Sequence, residues 1–144
     1  MKRNLIIMAL MLASMTIVNA DDRPVTFNQL PSAAQTFINK NYPDDKVSFA
    51  TVDDDFIRPD YHVALVSGVM LQFENDGTLE KVESRNGNIP EGIIPVQILQ
   101  AVNSYYPDAT ILGYEVGRRS YEVKLSNRLE LKFNSRFELV ELDD

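Results

Sequence analysis

Residues 61–73 read Tyr61-His62-Val63-Ala64-Leu65-Val66-Ser67-Gly68-Val69-Met70-Leu71-Gln72-Phe73, and sixty positions later the chain repeats the pattern as Tyr121-Glu122-Val123-Lys124-Leu125-Ser126-Asn127-Arg128-Leu129-Glu130-Leu131-Lys132-Phe133. Five of these thirteen positions are identical, namely Tyr61, Val63, Leu65, Leu71 and Phe73 with their counterparts. Average composition gives about one by chance. The matches fall on alternate residues, the period of a strand that buries one side. Each stretch therefore reads as a β-hairpin. Ser67-Gly68 and Asn127-Arg128 form the two-residue turns, in which Gly and Asn readily take the positive φ required.

Working outward, the same duplication continues with a shift of 64. Leu30-Pro31 matches Ile94-Pro95, and Asn41-Tyr42-Pro43-Asp44 matches Tyr105-Tyr106-Pro107-Asp108. Between these markers Ala34, Phe37, Ile38 and Tyr42 recur at helical spacing, as do Ile98, Ala101, Val102 and Tyr105. Proline is tolerated in the first helical turn, where its missing N–H would lack a partner anyway. Pro43 and Pro107 stop the helices because proline breaks the hydrogen-bond ladder. Four strands are predicted after each helix. In the first copy they are Lys46–Val52, Tyr61–Val66, Val69–Glu74 and Leu79–Ser84. In the second they are Thr110–Val116, Tyr121–Ser126, Leu129–Asn134 and Glu138–Leu142. Asn75-Asp76-Gly77-Thr78 is a strong hairpin signal. The fold class is α+β: a tandem repeat (25–84 and 94–144, joined by linker 85–93) of a helix plus a four-stranded antiparallel meander. The two copies are expected to form one continuous sheet with both helices on one face.

The first twenty residues stand apart. Lys2 and Arg3 precede an apolar run from Leu5 to Val18, and Val18-Asn19-Ala20 offers small residues at the −3 and −1 positions of a signal-peptidase site. The run is short of the ~20 residues of a bilayer span. Cleavage after Ala20 is the expectation, with a retained N-terminal anchor as the alternative. Taking residues 1–20 from the 144 leaves 124, and 12 basic against 21 acidic residues, a net charge of about −9. Such a surface repels nucleic acid and anionic membranes and favours solubility or basic partners. No nucleic acid and no stable membrane association after cleavage are expected. Oligomeric state is not set by this pattern. With no Cys in the chain, disulfides, thiol nucleophiles and lipoprotein acylation are excluded, and packing alone must hold the fold.

Catalytic constellations are missing. His62 is the only histidine and lies mid-strand without an evident nucleophile. One His without Cys does not build a typical zinc site, and neither a Walker loop nor GxGxxG occurs. No enzyme activity and no cofactor are expected. Two features remain for binding. The strand face opposite the helices carries His62, Ala64, Val66, Met70 and Gln72 in one copy and Glu122, Lys124, Glu130 and Lys132 in the other. It reads either as a solvated face or as a docking surface for a periplasmic or secreted protein or peptide. The loop Asp53-Asp54-Asp55-Phe56-Ile57-Arg58-Pro59-Asp60 is four residues longer than its counterpart. It reads as a solvated acidic loop, or as a recognition loop with Phe56 and Ile57 as apolar anchors. Asp53 and Asp55 are the side chains it offers to calcium, although the EF-hand ligand pattern is absent.

Pro31…Tyr42-Pro43…Tyr61-His62-Val63-Ala64-Leu65…Leu71-Gln72-Phe73…Gly77, echoed from Pro95 to Leu139, resembles the PepSY-like domain family of exported bacterial proteins, also described as β-lactamase-inhibitor-like. The resemblance spans about Val25 to Leu142. It implies the helix-plus-meander fold, periplasmic residence, and binding to or inhibition of a secreted enzyme. No inhibitory residue carries over by motif.

Overall fold

The computed structural model describes residues 22–53 and 58–144. Strand β1 (Asp22–Val25) is followed by a 3-10 turn (Phe27–Gln29), helix α1 (Ser32–Asn41) and strands β2 (Val47–Asp53), β3 (Asp60–Leu65), β4 (Met70–Phe73) and β5 (Leu79–Glu83). Helix α2 (Val96–Tyr105) then leads into β6 (Ile111–Val116), β7 (Ser120–Leu125), β8 (Glu130–Asn134) and β9 (Leu139–Asp143). The strands make one nine-stranded sheet in sequence order, every neighbour antiparallel. Eight strands were expected, and the ninth is β1. It lacks the apolar alternation that marks the others, and backbone pairing to β2 holds it at the sheet edge, where Pro24 is tolerated.

Both helices start and stop as their prolines dictate. Pro31 and Pro95 are the N-caps, one position outside the first turn. Tyr42 and Tyr106 close the last turns, their N–H groups donating to the carbonyls of Ile38 (2.8 Å) and Val102 (2.7 Å). Four residues apart on one helix stripe, Ala34 and Ile38 are buried in α1, as are Ile98 and Val102 in α2. They pack on a row that crosses the sheet in register: Val63, Leu71, Val82, Tyr114, Val123 and Leu131. Phe73 and Phe133 extend the same cluster, both fully buried, and Phe37 of α1 meets Phe73 edge-on at 5.5 Å. Each such apolar side chain contributes about 1.5–3 kcal/mol on burial. The core therefore lies wholly on the helix side of the sheet.

The pairing registers of β2–β4 recur in β6–β8. Val47↔Leu65 and Phe49↔Ala64 stand where Ile111↔Leu125 and Gly113↔Lys124 stand, and both strand pairs shift register at that point. A second shift falls at Gln72/Phe73 and again at Lys132/Phe133. The turns correspond as well. Gly68 (φ 97°) is matched by Arg128 (φ 74°), and Gly77 (φ 86°) by Phe137 (φ 63°). The positive φ expected of Asn127 is thus carried by Arg128. Asn127 instead uses its side chain, Oδ1 accepting from the Leu129 N–H at 3.0 Å, the local bonding by which Asn stabilises a turn.

Candidate functional site

Because successive strand residues point to opposite sides, the registers define what the helix-free face presents. One row runs Thr51, His62, Gln72, Lys81, Glu115, Glu122, Lys132, Glu141 from β2 to β9. The next runs Phe49, Ala64, Met70, Glu83, Gly113, Lys124, Glu130, Asp143. The structure therefore brings together His62, Met70, Gln72, Glu122, Lys124, Glu130 and Lys132 on a single surface. Val66 lies just past the end of β3 at the hairpin, 68% exposed. Phe56 and Ile57, with Asp54 and Asp55, lie outside the described residues.

The two halves of this face differ in chemistry. On the β2–β4 side Phe49 is 57% and Met70 41% exposed, flanking Ala64, with Val66 at the rim. Phe49 escaped the sequence reading because strict alternation groups it with Val47. The register shift at Ser48 breaks that alternation, turning Val47 to the core and Phe49 outward. The apolar alternation on both sides of Ser48 was the only available hint. On β5–β9 the face carries Glu83, Glu115, Glu122, Glu130, Glu141 and Asp143 against Lys81, Lys124 and Lys132.

The carboxylates crowd one another. Burial raises the pKa of Glu122, and a hydrogen bond shared with Glu130 and repulsion from Glu130 and Glu115 add to the shift, which Lys132 opposes. Glu80 is raised first by burial and then by Asp60, Glu74 and Glu115. Gln72 Nε2 donates to Glu80 Oε2 at 3.1 Å and to Asp60 Oδ2 at 3.5 Å. Lys81 Nζ meets Glu83 Oε1 at 3.0 Å. That bond and the surrounding carboxylates hold its ammonium above the usual lysine range. Lys132 Nζ lies 3.8 Å from Glu141 Oε2.

Glu122 and Glu130 are the nearest approach to an acid/base pair, but no enclosed cleft surrounds them. The depression they share with Glu83 and Gly113 holds ≈ 90 Å³, and that beside His62, Met70 and Gln72 holds ≈ 140 Å³. Small-molecule sites usually enclose about 300–1,000 Å³. Asp22↔Asp53 and Asp53↔Asp60 are paired across β1–β3. Among the described residues no three metal-ligating side chains converge on one point.

The family model described as "Putative beta-lactamase-inhibitor-like, PepSY-like" matches residues 16–58 and 59–141. Among solved structures, a DUF2874-family protein from Bacteroides vulgatus ATCC 8482 described as a "putative periplasmic protein" is 38% identical (TM-score 0.82), the match covering 87% of this chain and 98% of that one. A protein from Bacteroides thetaiotaomicron described as a "putative calcium-regulated periplasmic protein" is 40% identical (TM-score 0.82), with 86% and 98% covered. A second protein from Bacteroides vulgatus ATCC 8482, described as a "putative periplasmic protein of unknown function", is 28% identical (TM-score 0.81), with 85% and 99% covered. The search of curated proteins gives no match. With its helix-backed sheet and with most of its length matched, the chain belongs to the β-lactamase-inhibitor-like, PepSY-like family.

Proposed function

We propose that this protein is a non-enzymatic periplasmic binding module that engages a protein or peptide through the helix-free face of its sheet. The observation that carries the reading is the exposure of Phe49, Met70 and Val66 together beside a charged field. Solvation alone gives no reason for an apolar cluster there. Periplasmic residence is supported by the three similar structures, each described as periplasmic, and by the export pattern of residues 1–20. Among the described residues no helix is long and apolar enough to cross a membrane. The matching registers of β2–β4 and β6–β8 support descent of the two halves from a duplicated unit.

Site-specific photo-crosslinking in the native cell tests the docking face. A benzophenone side chain at Met70 is expected to trap a discrete protein adduct that one at Val96, exposed on α2, does not. Adducts from Val96 alone, or from neither, would overturn the reading, as would turnover of any substrate by the purified protein.

The description of one 40%-identical structure as calcium-regulated favours a second reading, cation binding by the Asp53–Asp60 loop. Asp53 and Asp60 face each other across β2–β3. Two carboxylates fall short of the six to eight oxygens calcium takes, so Asp54 or Asp55 would have to add ligands. A rise in Tm with millimolar calcium, absent in Asp53→Asn/Asp55→Asn, is the expected result on this reading. Identical melting with calcium and with chelator removes it.

A further inference from the structure

Gly113 occupies the centre of the open face, where the equivalent position of the first half carries Phe49. Its backbone does not demand glycine, because the positive-φ glycines are Gly68, Gly77, Gly87 and Gly92. A Cβ at 113 would also fit, meeting Lys124 Cβ at 3.4 Å and Glu83 Cγ at 3.8 Å. What the glycine does is leave a notch. Glu83, Glu115, Glu122 and Glu130 rim it together with Lys81 and Lys124, four carboxylates against two ammonium groups, within a half-face that holds six carboxylates to three lysines. Along the same row Phe49 lies four strands away and Met70 two, flanking Ala64, and both stand proud of the surface. The centre of that apolar patch, at Ala64, is three strands from Gly113, and strand spacings of about 4.8 Å put the two features roughly 14 Å apart, the span of about four extended residues.

We propose, building on the docking face above, that the occupant is a basic polypeptide segment lying across the strands. It seats an apolar side chain on Phe49 and Met70 and a lysine or arginine in the notch over Gly113. Charge complementarity selects this occupant. A cation among crowded carboxylates relieves their repulsion, whereas an acidic segment or an anionic membrane is repelled. Burial first, and then the hydrogen bond with Glu130 and repulsion from Glu130 and Glu115, raise the pKa of Glu122 before any partner arrives.

Selection of a random peptide library on the purified protein tests this. Enriched peptides are expected to carry Lys or Arg about four positions from an apolar residue and to lose affinity as salt rises. The best of them, synthesised and titrated, should bind on the order of tenfold more weakly to Gly113→Leu and to Glu122→Lys/Glu130→Lys. Phe49→Ser should weaken it as well. Thermal melting of each variant separates lost binding from lost folding, and the two independent lesions in the acidic half guard against one failing to fold. If Phe49→Ser weakens binding while the notch and charge-reversal variants bind normally, the open face stands and the basic-segment proposal falls. Enrichment of acidic or uncharged peptides overturns the proposal equally. Retention by all three variants, or no enrichment at all, overturns both it and the docking face.

Discussion

Arg128 and Phe137 hold left-handed backbone where the first half has Gly68 and Gly77. A side chain in that region costs roughly 1–2 kcal/mol, partly offset by its lower unfolded-state entropy. Arg128→Gly is therefore expected to stabilise the fold by about 0.5 kcal/mol, read as a rise in Tm. Phe137→Gly should do the reverse, because Phe137 stacks on Tyr121 at 5.1 Å and such a pair adds about 0.5–1.5 kcal/mol beyond its buried area. Glu122 gives a residue-scale prediction with a pH sign. Its folded pKa is raised, so the native state binds its proton more readily than the unfolded chain does. That contribution favours folding in acid and is lost as pH rises through the folded value. Glu122→Gln should therefore raise Tm at pH 7, and the gain should shrink toward pH 4. A gain that is equal at both values would refute this electrostatic account.

At the scale of elements, the hairpin signals carry different packing duties. Gly68 and Gly77 share a positive φ, but a Cβ on Gly68 meets nothing within 4 Å, whereas one on Gly77 would lie 2.8 Å from Ala34 N and 2.9 Å from Ala33 Cβ and Pro31 Cβ. The β4–β5 turn thus presses on the start of α1. Gly68→Ala should cost about 1 kcal/mol from backbone strain alone. Gly77→Ala should cost at least 1–3 kcal/mol more for the clash. Chemical denaturation of the two variants isolates the turn–helix contact by difference, and equal losses would show that contact to be unimportant. These elements were legible because proline, tyrosine and alternating aliphatics punctuate them. β1 was not, since Asp22–Val25 has no buried stripe of its own and pairs through backbone groups. Phe49 was not, because one extra residue in β2 inverts the alternation that a strict period of two assigns. The helix-free face was legible as a set of strand positions. Its division into an apolar and an acidic half depended on that inversion and on the order in which β5 and β6 meet.

For the whole molecule, the question is whether the two similar halves behave as one. Along the sheet they are joined by the pairs Lys81↔Glu115, Val82↔Tyr114 and Glu83↔Gly113 and by the Ser84 N–H, which donates to the Leu112 carbonyl at 2.8 Å. Beneath that narrow seam the core is continuous: Val82 and Tyr114 belong to the same buried cluster as Ile38 of one half and Ile98 of the other. Each half alone would expose its end of that cluster, and a unit of about 60 residues with no disulfide is marginal by itself. The halves are therefore expected to unfold in a single cooperative transition. Val82 is fully buried at the junction, and Val82→Ala removes two methyl groups there. It should lower stability by about 2 kcal/mol while keeping one transition whose calorimetric and van't Hoff enthalpies agree. Two separated transitions, or a loss confined to half of the amide protons in hydrogen exchange, would mean that the halves are independent. An extended segment would then cross a mobile joint at Gly113 instead of a rigid notch, and the spacing of about four residues between its two anchors would no longer be set by the fold.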